Sequence, residues 1–189
     1  MEHAEMVALI RDAGVGGGET WADLGAGTGN FSRALAELIG PGGAVYAVDR
    51  NARALAAQRA RGEPPGGAQL VLRQGDVMQP LALPPLDGAL LANLLHFIRD
   101  QEGLLWRVAG YLRPGGRLVL VEYDQALPIP WVPFPVPPAR FEELARAAGF
   151  EEVRRVGYRR SPSSGQGMYA SVATRAENLP LMNAGASQR

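Results

Sequence analysis

Apolar positions along this chain recur with two periods that take turns. Residues 3–12 carry Met6, Val7, Leu9 and Ile10 on one side of a short amphipathic helix, which "GVGGG" stops. "ETWADL" then reads as a strand, and "FSRALAELIG" returns to helical spacing with Phe31, Leu35 and Leu38 in line. Asn30 is the expected N-cap of that helix, and Gly40-Pro41 its stop. "GAVYAVD" is a strand, "ARALAAQRARG" an Ala-rich helix and "AQLVLRQGD" a strand. "LPPLDGALLAN" holds a fourth strand, and residues 100–116 read as a helix closed by Pro114 and two glycines. "RLVLVEYD" is apolar on both faces, the mark of a central strand. "ARFEELARAAGF" is a helix, and "EEVRRVGYRR" and "GMYASVATRA" are strands with no helix between them.

Strands that alternate with helices imply right-handed crossovers and a parallel sheet. Two strands in succession at the end imply an antiparallel edge. The expected fold is therefore a doubly wound, Rossmann-like α/β sheet of seven mostly parallel strands. Its last strand is antiparallel and helices cover both faces. One domain is expected over residues 1–175, with residues 176–189 a disordered tail.

Composition narrows the chemistry more than the fold. The 189 residues are 47% apolar and 20% charged with no net charge, so nothing announces a nucleic-acid partner. All 19 basic residues are arginine. The chain has no cysteine and two histidines, His3 and His96, which excludes disulfides and thiolate chemistry and makes a histidine-rich metal centre a poor fit. It has no signal-peptide pattern and no apolar run of membrane-spanning length, so a cytoplasmic protein is expected.

The densest feature is "WADLGAGTGNFS", residues 21–32, with Gly25, Gly27 and Gly29 in the turn after the first strand. In an open parallel sheet, ligands gather beyond the carboxyl ends of the strands, and a following helix offers unpaired N–H groups to a negative group. The dinucleotide fingerprint G-x-G-x-x-G/A is not completed: from Gly25 the third position is Asn30, and from Gly27 it is Ser32. Asp49 ends the second strand twenty residues past Gly29, where a carboxylate can accept both ribose hydroxyls of a nucleoside. Asp76 ends the third strand.

Together with "LDGALLAN" and "LRPGGRLVLVEYD", these motifs resemble the class I S-adenosylmethionine-dependent methyltransferases, in particular the small-molecule, quinone-biosynthesis type. The resemblance implies S-adenosyl-L-methionine as cofactor and methyl transfer to the O, N or C of a small organic acceptor. It implies that Asp23 meets the cofactor's ammonium, and that the backbone from Gly25 through Ala26, Gly27 and Gly29 to Asn30 lies along its amino-acid portion. Asp49 would take the ribose. Asp76 and the N–H of Val77 would take the adenine, while Asn93 and the Ala92 carbonyl would face the methionine part. Arg50 stands where an apolar side chain usually packs on the adenine, so its guanidinium would stack instead.

His96 and Tyr123 are the candidate catalytic residues, and no metal is implied. His96 is placed either as a general base or as a helix-start residue that caps or packs, with no partner visible in the sequence. Glu122 and Asp124 would hold a cationic substrate or stand in solvent. The six prolines of residues 128–138 stiffen a segment that would wall the pocket, pack across a homodimer interface, or rest on the core as a linker. Two other functions share these features. One is a non-catalytic S-adenosylmethionine-binding regulator or subunit. The other is an NAD-dependent oxidoreductase, against which Asn30 and Asp76 speak.

Overall fold

The computed structural model describes residues 1–160 and 165–178. Its elements are α1 (His3–Ile10), β1 (Thr20–Leu24), α2 (Asn30–Ile39), β2 (Ala44–Asp49), α3 (Ala52–Ala60) and β3 (Gln69–Gln74). They continue with β4 (Leu86–Ala92), α4 (Gln101–Tyr111), β5 (Leu112–Tyr123), α5 (Pro138–Ala147), β6 (Phe150–Arg160) and β7 (Gly167–Arg175). Short 3₁₀ turns cover Arg11–Ala13 and Leu95–Phe97.

The seven strands form one sheet in the order β3-β2-β1-β4-β5-β7-β6. β1 pairs in parallel with β2 and β4, β2 with β3, and β4 with β5, while β7 runs antiparallel to both β5 and β6. The antiparallel last strand is as expected, but it does not form the edge. β7 inserts between β5 and β6, leaving β6 outermost.

Strand periodicity divides the core in two. Leu118 and Leu120 of β5 face one apolar cluster with α4 and α5, and Val119 and Val121 face another with α1 and α2. β4 divides likewise, with Ala89 and Leu91 on the first face and Leu90 on the second. On β1, Ala22 and Leu24 take the first face and Trp21 the second, so Asp23, two residues on from Trp21, shares the face that α2 covers.

Two boundaries depart from expectation. The helix expected over residues 100–116 stops at Tyr111, and "LRPGG" opens β5 instead. Pro114 disfavours a helical residue before it. Leu112 already pairs with Leu86, and a register irregularity follows before Gly88 meets Arg117. Asn30 is the first helical residue of α2 and not its cap; Gly29, at φ +82°, holds the cap position. Of the expected tail, residues 179–189 lie outside the described residues, and the Ala176 N–H donates to the Gly149 carbonyl at 3.0 Å.

Candidate functional site

The turn after β1 is pinned against β2 and α3. The N–H groups of Gly25 and Ala26 both donate to the Val48 carbonyl, at 2.8 and 3.0 Å, which folds the chain back over the end of β2. The Gly27 N–H donates to Asp49 Oδ2 at 2.7 Å, and the other Asp49 oxygen takes the Asn51 N–H at 2.7 Å. Gly25, Gly27 and Gly29 all sit at positive φ. Gly27 carries the informative difference: a Cβ built there meets nothing within 4 Å, so this face of the turn opens onto free space.

That space is a cleft of about 270 Å³, lined by Asp23, Gly25, Ala26, Gly27, Thr28, Asn30, Phe31, Ala92 and Asn93, with Met1 and Met6 at its N-terminal side. Asp23 is only 1% exposed and accepts the Ser32 hydroxyl at 2.6 Å. Burial pushes its carboxyl up to about 7; the Ser32 bond opposes the rise and the nearby charge of Asp49 adds to it. Asn93 stands at φ +54°, and its N–H donates to the Val121 carbonyl at 2.8 Å. Its Oδ1 is buried with no hydrogen-bond partner among the described residues. α2, whose Asn30 and Phe31 line the same cleft, begins with no side-chain cap on its first N–H groups. An acid, an orphaned amide oxygen and uncapped helix N–H groups around one cleft fit a zwitterion, whose ammonium and carboxylate each find their complement.

Six of the expected cofactor residues thus line one cleft: Asp23, Gly25, Ala26, Gly27, Asn30 and Asn93. Gly29 is buried behind them, and Asp49 reaches them through its bond to Gly27. The remainder stand apart from the lining. Arg50 is exposed. Asp76 is exposed and accepts the Met78 N–H at 2.9 Å. Val77 is buried in the α4-side core, and Arg107 donates to its carbonyl.

His96 has a partner that the sequence did not display. Its Nδ1 lies 2.6 Å from Glu122 Oε2, its backbone N–H reaches Glu122 Oε1 at 3.2 Å, and the two side chains are 2% and 1% exposed. Glu122 is therefore neither solvated nor free for a cationic substrate. β4 and β5 run parallel with Ala92 opposite Val121, so the residues just past both strand ends converge. Aligning "LLANLLH" with "LVLVEY" as neighbouring strands was the available signal. The Phe97 ring centroid lies 4.1 Å from that of His96, and the partly exposed Tyr123 ring at 5.7 Å.

The proline-rich segment closes over this pair. The Phe134 N–H donates to the His96 carbonyl at 3.0 Å, and Gln101 Nε2 donates to the Phe134 carbonyl at 2.9 Å. Tyr169, directly opposite Glu122 on β7, donates its hydroxyl to the Val136 carbonyl at 2.6 Å. Burial raises the Tyr169 phenol well above its ordinary value, and the charges of Glu122 and Asp124 raise it further, so it stays a donor. Val132 and Val136 are buried, while Trp131, Phe97 and Leu127 are 60%, 56% and 75% exposed. Among the described residues, no helix is long and apolar enough to cross a membrane, and no cluster of three or more acids or histidines could hold a metal.

Residues 22–118 match the family model described as "Methyltransferase domain". A demethylmenaquinone methyltransferase of Tropheryma whipplei is 34% identical over 117 residues, covering 62% of this chain and 47% of the relative. The acetylserotonin O-methyltransferase of Mus musculus is 42% identical over 107 residues, covering 53% of this chain and 27% of the relative. The chain spans less than half the length of either relative. Human N-acetylserotonin methyltransferase, solved in complex with SAM, superposes with a TM-score of 0.68 at 19% identity, covering 91% of this chain and 52% of that one.

Proposed function

Because the chain belongs to the class I S-adenosylmethionine-dependent methyltransferases, we propose that it methylates a small, largely apolar acceptor at a protonated heteroatom, with His96 removing the proton. One observation carries this reading: the buried bond of 2.6 Å between His96 Nδ1 and Glu122. A carboxylate on Nδ1 fixes that nitrogen as the N–H donor and leaves the lone pair on Nε2, the tautomer being assigned from this network. Nε2 makes no hydrogen bond to a described residue.

S-adenosylmethionine supplies an electrophilic methyl group on a sulfonium. What remains for the protein is to hold the nucleophile in line, exclude water and receive one proton. Asp23 and Asn93 Oδ1 would hold the cofactor's ammonium and the first N–H groups of α2 its carboxylate. His96 Nε2 would receive the proton that the acceptor's heteroatom gives up, and Glu122 would stabilise the resulting imidazolium without moving. An O–H or N–H acceptor needs this step; a nucleophile already deprotonated does not.

The acceptor's character is read from what borders His96. Phe97 lies against its ring, and Trp131 projects from the segment bonded to its carbonyl, both more than half exposed. Exposed apolar side chains concentrated beside a site favour an apolar or aromatic ligand body. The mouse relative, named as an O-methyltransferase, supports oxygen as the methylated atom.

The test is a turnover screen with hydroxyl, amine and activated-carbon acceptors on wild type, His96→Gln and Glu122→Gln. His96→Gln should lower kcat by about 10²–10⁴ while S-adenosylmethionine binding is kept. Turnover of an acidic carbon acceptor, undiminished in His96→Gln, would refute the heteroatom reading. Binding without turnover of any acceptor would favour a non-catalytic regulator.

A further inference from the structure

α3 is a poor helix to look at for chemistry. It is Ala-rich, and of its nine residues only Leu55 and Gln58 are buried. Leu55 packs as an apolar residue should. Gln58 is 3% exposed, and its Nε2 donates to the Gly27 carbonyl at 2.8 Å. Its amide packs against the turn, so that a Cβ on Gly29 would come within 2.5 Å of both Gln58 Cδ and Oε1.

The other half of the amide is unsatisfied: Gln58 Oε1 is buried with no partner among the described residues. An orphaned buried acceptor lowers stability, and an apolar side chain of the same length would fill this space without it. Packing alone therefore does not account for glutamine. The donor does. Asp49 holds the N–H of Gly27 at 2.7 Å and Gln58 holds its carbonyl, so the residue whose open face borders the cleft is gripped at both ends. Arg61, one turn further along, donates to the Thr28 carbonyl at 3.1 Å and to Asn30 Oδ1 at 2.9 Å. A glycine without such restraint samples both signs of φ.

We propose that Gln58 is a positioning residue for cofactor capture, fixing the Gly27 peptide in its binding orientation before the ligand arrives. The proposal rests on the reading that S-adenosylmethionine occupies the cleft beside this turn. Pre-organisation of this kind shows as affinity, because the ordering cost has been met in folding.

Gln58→Met keeps length and volume but removes the donor and the orphaned acceptor together. Titration calorimetry with S-adenosylmethionine should give a Kd about three- to tenfold higher than wild type, the worth of one hydrogen bond. The melting temperature should stay near that of wild type, because the orphaned Gln58 acceptor is removed while the Gly27 carbonyl loses its partner. The kcat at saturating cofactor should change less than about twofold, since the chemistry is untouched. Gln58→Glu supplies a second readout, compared with wild type at each pH so that Asp23 cancels. Its carboxyl group repels the Gly27 carbonyl when ionised and donates its O–H to it when protonated, so the affinity deficit should shrink as pH falls. Wild-type affinity in Gln58→Met, or a deficit in Gln58→Glu that ignores pH, would overturn the proposal alone. Wild-type protein that binds no S-adenosylmethionine would overturn the cofactor reading beneath it.

Discussion

Replacing Asp23 with Asn should stabilise the ligand-free protein in alkali while weakening its hold on the cofactor. The carboxyl is 1% exposed and titrates near 7, against an ordinary value of 3.8. Between those values the unfolded chain has released its proton and the folded chain retains it. Stability therefore falls as pH rises from about 4 to about 7 and then levels. At about 1.4 kcal/mol per pH unit, the whole interval is worth about 4 kcal/mol. Asparagine has no charge to bury, keeps the shape, and can still accept the Ser32 hydroxyl that now donates at 2.6 Å. Urea denaturation of both proteins from pH 5 to pH 9 is the assay. The variant's advantage should grow by about 2–3 kcal/mol between pH 5 and pH 8. Binding should run the other way, because an ammonium beside Asp23 favours the charged acid. Calorimetry near pH 6, in buffers of different ionisation enthalpy, should show wild type releasing up to one proton on binding S-adenosylmethionine and the variant none. Stability curves that stay parallel across the whole range would refute the reasoning.

Gly27→Ala should fold, losing about 1–2 kcal/mol for its positive φ, yet bind S-adenosylmethionine poorly because the new methyl group enters the cleft. Gly29→Ala drives a Cβ into the Gln58 amide and should cost about 2–4 kcal/mol in a denaturation measurement. Gly88→Ala would press on the fully buried Trp21 ring, lowering stability by about 1–3 kcal/mol without changing turnover per folded molecule. Trp131→Ala removes a side chain that is 60% exposed, so stability should stay within about 0.5 kcal/mol while the acceptor KM rises.

The parts of this molecule legible from sequence are those that local periodicity writes. "RLVLVEY" declares a strand buried on both faces, and Gly25, Gly27 and Gly29 declare a turn whose backbone is open to a ligand. The missed parts depend on which elements become neighbours. His96 and Glu122 are 26 residues apart and meet only because β4 and β5 align. Gln58 and Gly27 are 31 apart, and nothing in an Ala-rich helix marks one glutamine as its buried polar residue. The helix end misplaced at Pro114 has another origin: a proline read as a stop after a helix instead serves inside the first residues of a strand. The raised pKa of Asp23 is legible nowhere in the sequence, because it measures how completely α2 and the turn shut out water.

The threading of β7 between β5 and β6 sets the order in which the protein can be completed on the ribosome. β6 is synthesised first but, among the described strands, pairs only with β7, so it emerges with none of them to join. Until residues 167–175 follow, β5 presents Leu118 to Val121 along an unpaired apolar border, the kind of border that recruits strands from other chains. Both gaps close in one event when β7 arrives. A nascent chain stalled before residue 167 should therefore depend on chaperones, and release of the last strand should end that dependence at once.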